Sequence, residues 1–158
     1  MMKIYYFVVR LGYVLTWPLS GLFLHNSHRV RVLVIRGDKI LLVKNSYGTK
    51  RWTLPGGGVE RGESCMSAAV RELAEETKID IKKSALTLLG TARVSGRIKY
   101  PAINNTYFVV RVPEQIQEKI VRPLEIQELA WFSPRKLPDD VSKSAQIALK
   151  MNKLNSES

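Results

Sequence analysis

The chain has 158 residues, 45% of them hydrophobic and 25% charged, which indicates one globular domain and excludes an intrinsically disordered protein. Its 25 Lys and Arg against 14 Asp and Glu give a formal net charge of +11, which favours anionic partners such as nucleotides, nucleic acid or acidic lipids. One cysteine and two histidines exclude an intramolecular disulfide and a Cys/His zinc site, so any bound metal would need oxygen ligands.

The first 25 residues form an apolar segment. Between Ile4 and Leu24 the only charged residue is Arg10, and the stretch approaches the roughly 20 residues that cross a bilayer. Three interpretations are open: an aromatic-rich helix lying in a membrane interface or packed on the domain or a partner, a membrane-spanning anchor, and a signal segment. We expect the first, and hence a cytoplasmic protein that residues 1–25 can bring to a membrane surface.

From Arg29 onward the pattern indicates strands and helices. The segments "RVRVLVI" and "ILLV", joined by the turn "RGDK", predict a hairpin, and "RWTLP" predicts a short extended run that ends at Pro55. Further strands are predicted over "ALTLLGTARV", "TYFVVRV" and "IQELAWF", one helix from the N-cap Ser64 to Thr77, and an amphipathic helix over 139–152. We therefore predict an α/β protein of the α+β type with a mixed β-sheet, a folded domain over residues 26–152 and a frayed tail over 153–158.

Three glutamates of the first predicted helix share one face. Glu72, Glu75 and Glu76 are spaced i, i+3 and i+4. Their mutual repulsion, and a macrodipole that disfavours negative charge near a helix C-terminus, make this arrangement unfavourable in a helix selected only for stability. A divalent cation would reverse both effects, because it supplies positive charge and binds oxygen. The alternative interpretation is a solvated helix face.

The loop before this helix strengthens the metal-site hypothesis. Three glycines at 56–58 let the backbone approach a ligand closely, so that a carbonyl could join the carboxylates on a metal. Glu63 stands eight residues before Arg71, close enough across the loop and helix for the two to pair. Arg71 can in turn hold the carboxylate of Glu72 in one orientation.

Together these residues form a spaced motif. It resembles the signature of the Nudix hydrolases, the family of MutT-like enzymes, at seven positions: Gly57, Glu63, Arg71, Glu72, Glu75, Glu76 and Ile79. The resemblance extends over about residues 29–150, and it implies a Nudix-like α/β/α sandwich with a loop–helix–loop catalytic motif and a C-terminal helix. One position departs, because the family usually has glycine where this chain has Lys78. Glycine would end the helix in a left-handed conformation, so either Lys78 accepts that strain or the helix ends differently.

The resemblance also implies a reaction. Nudix enzymes hydrolyse a diphosphate linkage in a nucleoside diphosphate joined to another group, with Mg²⁺ or Mn²⁺ as cofactor. The implied metal ligands are the Gly56 carbonyl, Glu72, Glu75, Glu76 and one late glutamate, either Glu128 or in its place Glu125. Glu72 or a glutamate outside the motif would activate the attacking water. Arg71 would orient Glu72, and Glu63 would pair with Arg71.

The sequence gives less specific signals for substrate recognition and for partners. Tyr47 or Trp52 could stack on a base or belong to the core or its rim, and Arg93 and Arg97 could contact the substrate or be solvated. Beside nucleotide pyrophosphohydrolysis, two functions are open: pyrophosphate removal from RNA 5′ ends, which the net charge suits, and non-catalytic nucleotide sensing or RNA binding. The sequence also leaves open whether the chain forms a homodimer.

Overall fold

The computed structural model describes residues 28–46, 50–95 and 102–157. Within them six strands form one sheet: β1 (His28–Arg36), β2 (Lys39–Asn45), β3 (Trp52–Thr53), β4 (Thr87–Val94), β5 (Ile103–Arg111) and β6 (Ile126–Phe132). Two α-helices accompany the sheet, α1 (Cys65–Thr77) and α2 (Lys143–Ser156), with a short 3-10 helix at Lys83–Ala85. The predicted α+β class is confirmed.

The sheet is mixed, as predicted. Its strand order is β3-β2-β1-β5-β4, and β6 pairs with β2. β1 runs parallel to β5, whereas the other strand pairs are antiparallel. The hairpin predicted at the start of the domain is β1–β2, in which Arg36 pairs with Lys39 across a two-residue turn. Gly37 begins that turn with φ 57°, a left-handed conformation that glycine adopts without strain.

Both faces of the central strands are buried, because successive side chains of a strand point to opposite faces. One core cluster packs alternate β1 residues against α1: Val30, Val32, Val34, Ala68, Ala69 and Leu73. A second cluster packs the intervening β1 residues against α2: Leu33, Ile35, Ala145 and Ala148. The sheet therefore lies between two helices, and this is the α/β/α sandwich that the resemblance implied.

The C-terminal helix differs from its prediction at both ends. It was predicted over 139–152 but begins at Lys143, because Val141 is still extended in a bridge with Trp52 and Ser142 N donates to Trp52 O at 2.8 Å. Ser142 then caps the helix, with its Oγ accepting from Ala145 N at 3.2 Å. At the other end the helix continues to Ser156, so residues 153–156 are helical rather than frayed.

The predictions for residues 1–25, Tyr47 and Arg97 lie outside the described residues. Of the helices that the structure does describe, neither has the length and apolar character needed to cross a membrane.

Candidate active site

The glycine loop is attached to the sheet through its backbone. Val30 N donates to Gly57 O and Val32 N donates to Pro55 O, both at 2.9 Å, so that the loop extends the sheet along β1. Gly56 has φ 132°, and a Cβ on this residue would lie 2.2 Å from Val30 O. Only glycine fits at this position, and the loop is thereby fixed beside α1.

The loop contacts the glutamate face of α1. The opposite side of the helix is anchored in the core by Ala69 and Leu73, which turns the glutamates toward the loop. Gly56 N donates to Glu76 Oε2 at 2.8 Å. A Cβ on Gly57 would lie 2.4 Å from Glu72 Oε1, so the backbone of the loop packs directly on this carboxylate.

Arg71 connects four parts of the predicted site. Its guanidinium donates to both carboxylate oxygens of Glu63, at 3.0 and 2.9 Å, in the bidentate geometry that favours arginine. It also donates to Glu72 Oε1 at 3.0 Å, to Glu75 Oε2 at 3.1 Å and to Gly58 O at 3.0 Å. These hydrogen bonds hold the pKa of Glu63 below its usual range and raise the pKa of Arg71. The contacts predicted between Arg71 and both Glu63 and Glu72 are therefore present.

Glu76 is the buried carboxylate of the cluster, with 7% of its surface exposed. Burial raises its pKa to about 7, because a charge loses hydration there. The negative charges of Glu72 and Glu125 act in the same direction, whereas the hydrogen bond from Gly56 N and the positive charge of Arg31 oppose it. A cation beside Glu76 would favour its charged form.

Arg31 of β1 belongs to the site although the sequence analysis did not select it. Its Nη1 donates to Gly56 O at 2.7 Å and to Leu54 O at 3.1 Å. Burial lowers its pKa, and its buried Nε has no hydrogen-bond partner within the described part of the chain. The Gly56 carbonyl, an implied metal ligand, is thus already an acceptor, and a cation would have to use its second lone pair. In the sequence Arg31 looks like one polar position of an alternating strand, so no local signal distinguishes it.

The segment 112–125 between β5 and β6 adds a second arginine to the cluster. Arg122 Nη2 donates to Glu75 Oε2, and Nη1 donates to Glu125 Oε2 at 3.2 Å. The arginine thereby joins Glu125 to the cluster. Glu128 is exposed on β6, in register with Lys44 of β2. Of the two late glutamates, Glu125 is the one that Arg122 links to Glu75.

Lys78 ends α1 in the left-handed conformation that glycine usually adopts. Its φ and ψ are 61° and 8°, and its N–H donates to Ala74 O at 3.0 Å. Of the two alternatives, Lys78 thus accepts the strain and the helix end keeps its shape.

Of the residues predicted to bind substrate, the structure describes Trp52 on β3 and Arg93 on β4. Trp52 is 7% exposed and packs edge-to-face on Phe132, with 4.9 Å between the ring centroids, which favours its core interpretation. Arg93 is exposed on β4. A groove of about 480 Å³ is lined by Ser46, Ile120, Pro123, Ile126 and Gln127. No sequence pattern predicted this groove, because its walls come from two separate segments.

The donor set suits a hard divalent cation, although the carboxylates are not gathered around one point. Among the described residues, no three His, Cys, Asp or Glu side chains are close enough together to hold a metal ion. Arg71 and Arg122 instead draw the carboxylates of Glu72 and Glu75 toward themselves. Carboxylate and carbonyl oxygens are nevertheless the ligands that Mg²⁺ and Mn²⁺ prefer, and the raised pKa of Glu76 marks a place where a cation would be stabilising.

Comparisons with known proteins show similarity in sequence and in fold. The family model of the NUDIX domain matches residues 26–151. Over 107 residues the chain is 34% identical to a putative 8-oxo-dGTP diphosphatase of Bacillus subtilis. This alignment covers 68% of the chain and 66% of that protein. For three other curated relatives, the chain spans less than half of the relative's own length, between 23% and 48%.

Solved structures share the fold. A MutT NUDIX hydrolase from Burkholderia pseudomallei has a TM-score of 0.73 at 24% identity, over 80% of this chain and 97% of that one. A bifunctional NMN adenylyltransferase/ADP ribose pyrophosphatase from Francisella tularensis, complexed with AMP and a manganese ion, has a TM-score of 0.66 at 20% identity. That match covers 92% of this chain and 46% of the other. At these identities the likeness concerns the fold alone.

Proposed function

Because the chain belongs to the NUDIX family, we propose that it is a pyrophosphohydrolase that cleaves a diphosphate linkage in a nucleoside diphosphate derivative, with Mg²⁺ or Mn²⁺ as cofactor. The observation that carries the proposal is the contact of one guanidinium, that of Arg71, with Glu63, Glu72, Glu75 and the Gly58 carbonyl. This contact assembles the acidic residues of the motif against the glycine loop, where an anionic substrate and its cation can be held together.

The residues that would hold the cation are the Gly56 carbonyl, Glu72, Glu75, Glu76 and Glu125. When bound, a divalent cation neutralises diphosphate oxygens and lowers the pKa of a coordinated water. Arg71 fixes Oε1 of Glu72, and we assign the other oxygen to accept a proton from the attacking water. A glutamate outside the motif is the alternative base, and Glu125 is the candidate that the structure joins to the cluster.

Pyrophosphate or phosphate release tests the proposal. The panel contains NTPs, dNTPs including 8-oxo-dGTP, nucleotide sugars and ADP-ribose, each with Mg²⁺, Mn²⁺ or EDTA. We expect turnover that requires the metal and that falls by about a hundredfold or more in Glu72→Gln and Glu76→Gln. Glu114→Gln is the matched control, because Glu114 is an exposed glutamate that contacts Arg36 and not the cluster. Nucleotide binding without any turnover would overturn the proposal in favour of a sensor.

The same assay compares the two late glutamates. Glu125→Gln should weaken metal-dependent turnover, whereas Glu128→Gln should leave it within about twofold of the wild type, since Glu128 faces Lys44 across the β2–β6 pair. The reverse result would return the assignment to Glu128.

A second candidate substrate is the 5′ end of RNA, which the net charge of +11 favours. If RNA is the substrate, its apparent affinity should fall steeply with salt, with a log–log slope well above that of a mononucleotide. Equal slopes for a 5′-triphosphorylated oligonucleotide and for a nucleotide would argue for the small substrate.

A further inference from the structure

Glu75 is shared by two arginines through the same oxygen. Arg71 Nη1 donates to Glu75 Oε2 at 3.1 Å, and Arg122 Nη2 contacts that oxygen from the other segment. Arg71 also donates to Glu63 and Glu72, and it lies on α1, the helix that carries Glu72 and Glu75. Arg122 contacts no other glutamate of the motif. Its other side-chain acceptor is Glu125, three residues further along its own segment. The contact between Arg122 and Glu75 therefore places an added positive charge on an implied metal ligand.

The segment that carries Arg122 is attached to the domain by its backbone. Lys119 N donates to Thr77 O at 2.8 Å at the end of α1, and Ser46 N donates to Glu125 O at 2.8 Å. Ile126 N donates to Arg122 O at 2.8 Å, so the backbone of Arg122 is held as well. None of these bonds uses a guanidinium. With 35% of its side chain exposed, Arg122 can leave Glu75 for solvent while the segment stays docked.

We propose that Arg122 is an internal counter-ion of Glu75 and that it competes with a divalent cation for this carboxylate. This inference rests on the proposed function, since it takes Glu75 as a metal ligand. A guanidinium and a metal cation cannot both use Glu75 Oε2 at full strength, because each needs the same lone pairs and the two positive charges repel. Arg122 thus lowers the affinity of the site for its cation and keeps Glu75 charge-compensated without one.

Mn²⁺ binding to the 158-residue chain tests the inference, and it is measured as loss of the free-Mn²⁺ signal in electron paramagnetic resonance. The variant is Arg122→Gln, and the matched control is Lys119→Gln. Lys119 is exposed in the same segment, and its substitution removes the same single charge. Because the pair is about one-third exposed, its coupling is modest, and we expect Arg122→Gln to bind Mn²⁺ about two- to fivefold more tightly than the wild type. Lys119→Gln should change the affinity by much less.

A second measurement follows Arg122 itself. In the wild type, the ¹⁵N-detected guanidinium resonance of Arg122, assigned by its absence in Arg122→Lys, should shift and exchange faster with solvent as Mg²⁺ is added. Arg36, which pairs with Glu114 and Glu118 and not with a glutamate of α1, is the internal reference and should not respond.

The outcomes separate this inference from the proposed function. Unchanged or weaker Mn²⁺ binding in Arg122→Gln, with the variant folded by circular dichroism and an unresponsive Arg122 resonance, overturns the counter-ion role alone. Failure of the wild type and of every variant to bind Mn²⁺ overturns the metal site and, with it, the proposed function. Tighter binding confined to Arg122→Gln supports both.

Discussion

The carboxyl group of Glu76 is a single residue whose chemistry the fold changes. Its pKa of about 7 lies above the ordinary value of 4.5, because the side chain is buried. Folding therefore favours the protonated form, and the resulting stability is complete below about pH 4.5 and is lost as the pH rises through about 7.

From this shift we predict that Glu76→Gln is more stable than the wild type in metal-free buffer at about pH 8, by up to about 3 kcal/mol. The advantage should disappear near pH 4.5, since both side chains are then neutral. Urea unfolding in EDTA at the two pH values measures it. Glu75→Gln is the control, because this carboxylate is paired with two arginines and its loss should slightly destabilise the protein. A wild type that is the more stable protein at both pH values would contradict the prediction.

Lys78 is a second residue whose conformation has an energetic consequence. It holds φ 61° at the end of α1, where a side chain costs roughly 1 kcal/mol. We predict that Lys78→Gly raises the free energy of unfolding by about 1 kcal/mol, as measured by chemical denaturation.

Lys82→Gly is the control for that prediction. Lys82 is also exposed but has φ –77°, so glycine relieves no strain there and only adds freedom to the unfolded chain. We expect this variant to be less stable than the wild type. An equal effect at both positions would show that the left-handed conformation of Lys78 is not strained.

At the scale of elements, the unit that matters is the glycine loop together with α1. The loop is bonded to β1 by its backbone, the helix is held to the sheet by Ala69 and Leu73, and Arg71 joins the two. The arrangement of the loop relative to the helix therefore depends less on any one carboxylate than on the planar guanidinium of Arg71. Lysine cannot reproduce its several fixed N–H donors.

We predict that Arg71→Lys lowers kcat for the best substrate of the panel by about ten- to a hundredfold, because Glu72 loses its fixed orientation. The melting temperature should change less than kcat does, since lysine keeps a positive charge beside these carboxylates. Steady-state kinetics on the variant measure the effect. Arg36→Lys is the matched control. Arg36 also donates to a glutamate, Glu118, which is not part of the motif, and the kcat of this variant should match that of the wild type. A wild-type kcat in Arg71→Lys would exclude the positioning role.

On the scale of the whole molecule, the question is whether the stability and activity of the folded domain depend on the apolar N-terminal segment. Among the described residues, the sheet starts with His28, and the family match begins at residue 26. The described members of both core clusters lie from Val30 onward and pack the sheet against α1 and α2.

We predict that a chain without residues 1–25 keeps the melting temperature of the 158-residue chain within about 2 °C and its kcat within about twofold. Any sedimentation with vesicles of anionic lipid should be lost with the segment. Calorimetry, the release assay and co-sedimentation measure the three properties. An unfolded or inactive shortened chain would show instead that the segment packs on the domain. Equal sedimentation of both chains would attribute membrane binding to the basic surface of the domain.

The sequence determined the elements whose signals are local. Three such signals each depend on residues a few positions apart. They are the alternation of polar and apolar residues in β1 and β2 around Gly37, the N-cap at Ser64, and the spacing of Glu72, Glu75 and Glu76 on one helix face. The pairing of Glu63 with Arg71 was also predictable, since only a short loop and two helical turns separate them.

Only the tertiary structure decided the features that join distant segments. Arg31 reaches the glycine loop across 25 positions, and Arg122 reaches Glu75 across 47, so no spacing rule connects them. The burial that raises the pKa of Glu76 likewise depends on how the loop and the helix close over one another. The sequence therefore specifies which carboxylates are available, because periodicity is local. The fold decides which of them are charged, paired or exposed, because hydration and Coulomb interactions depend on distance in space and not along the chain.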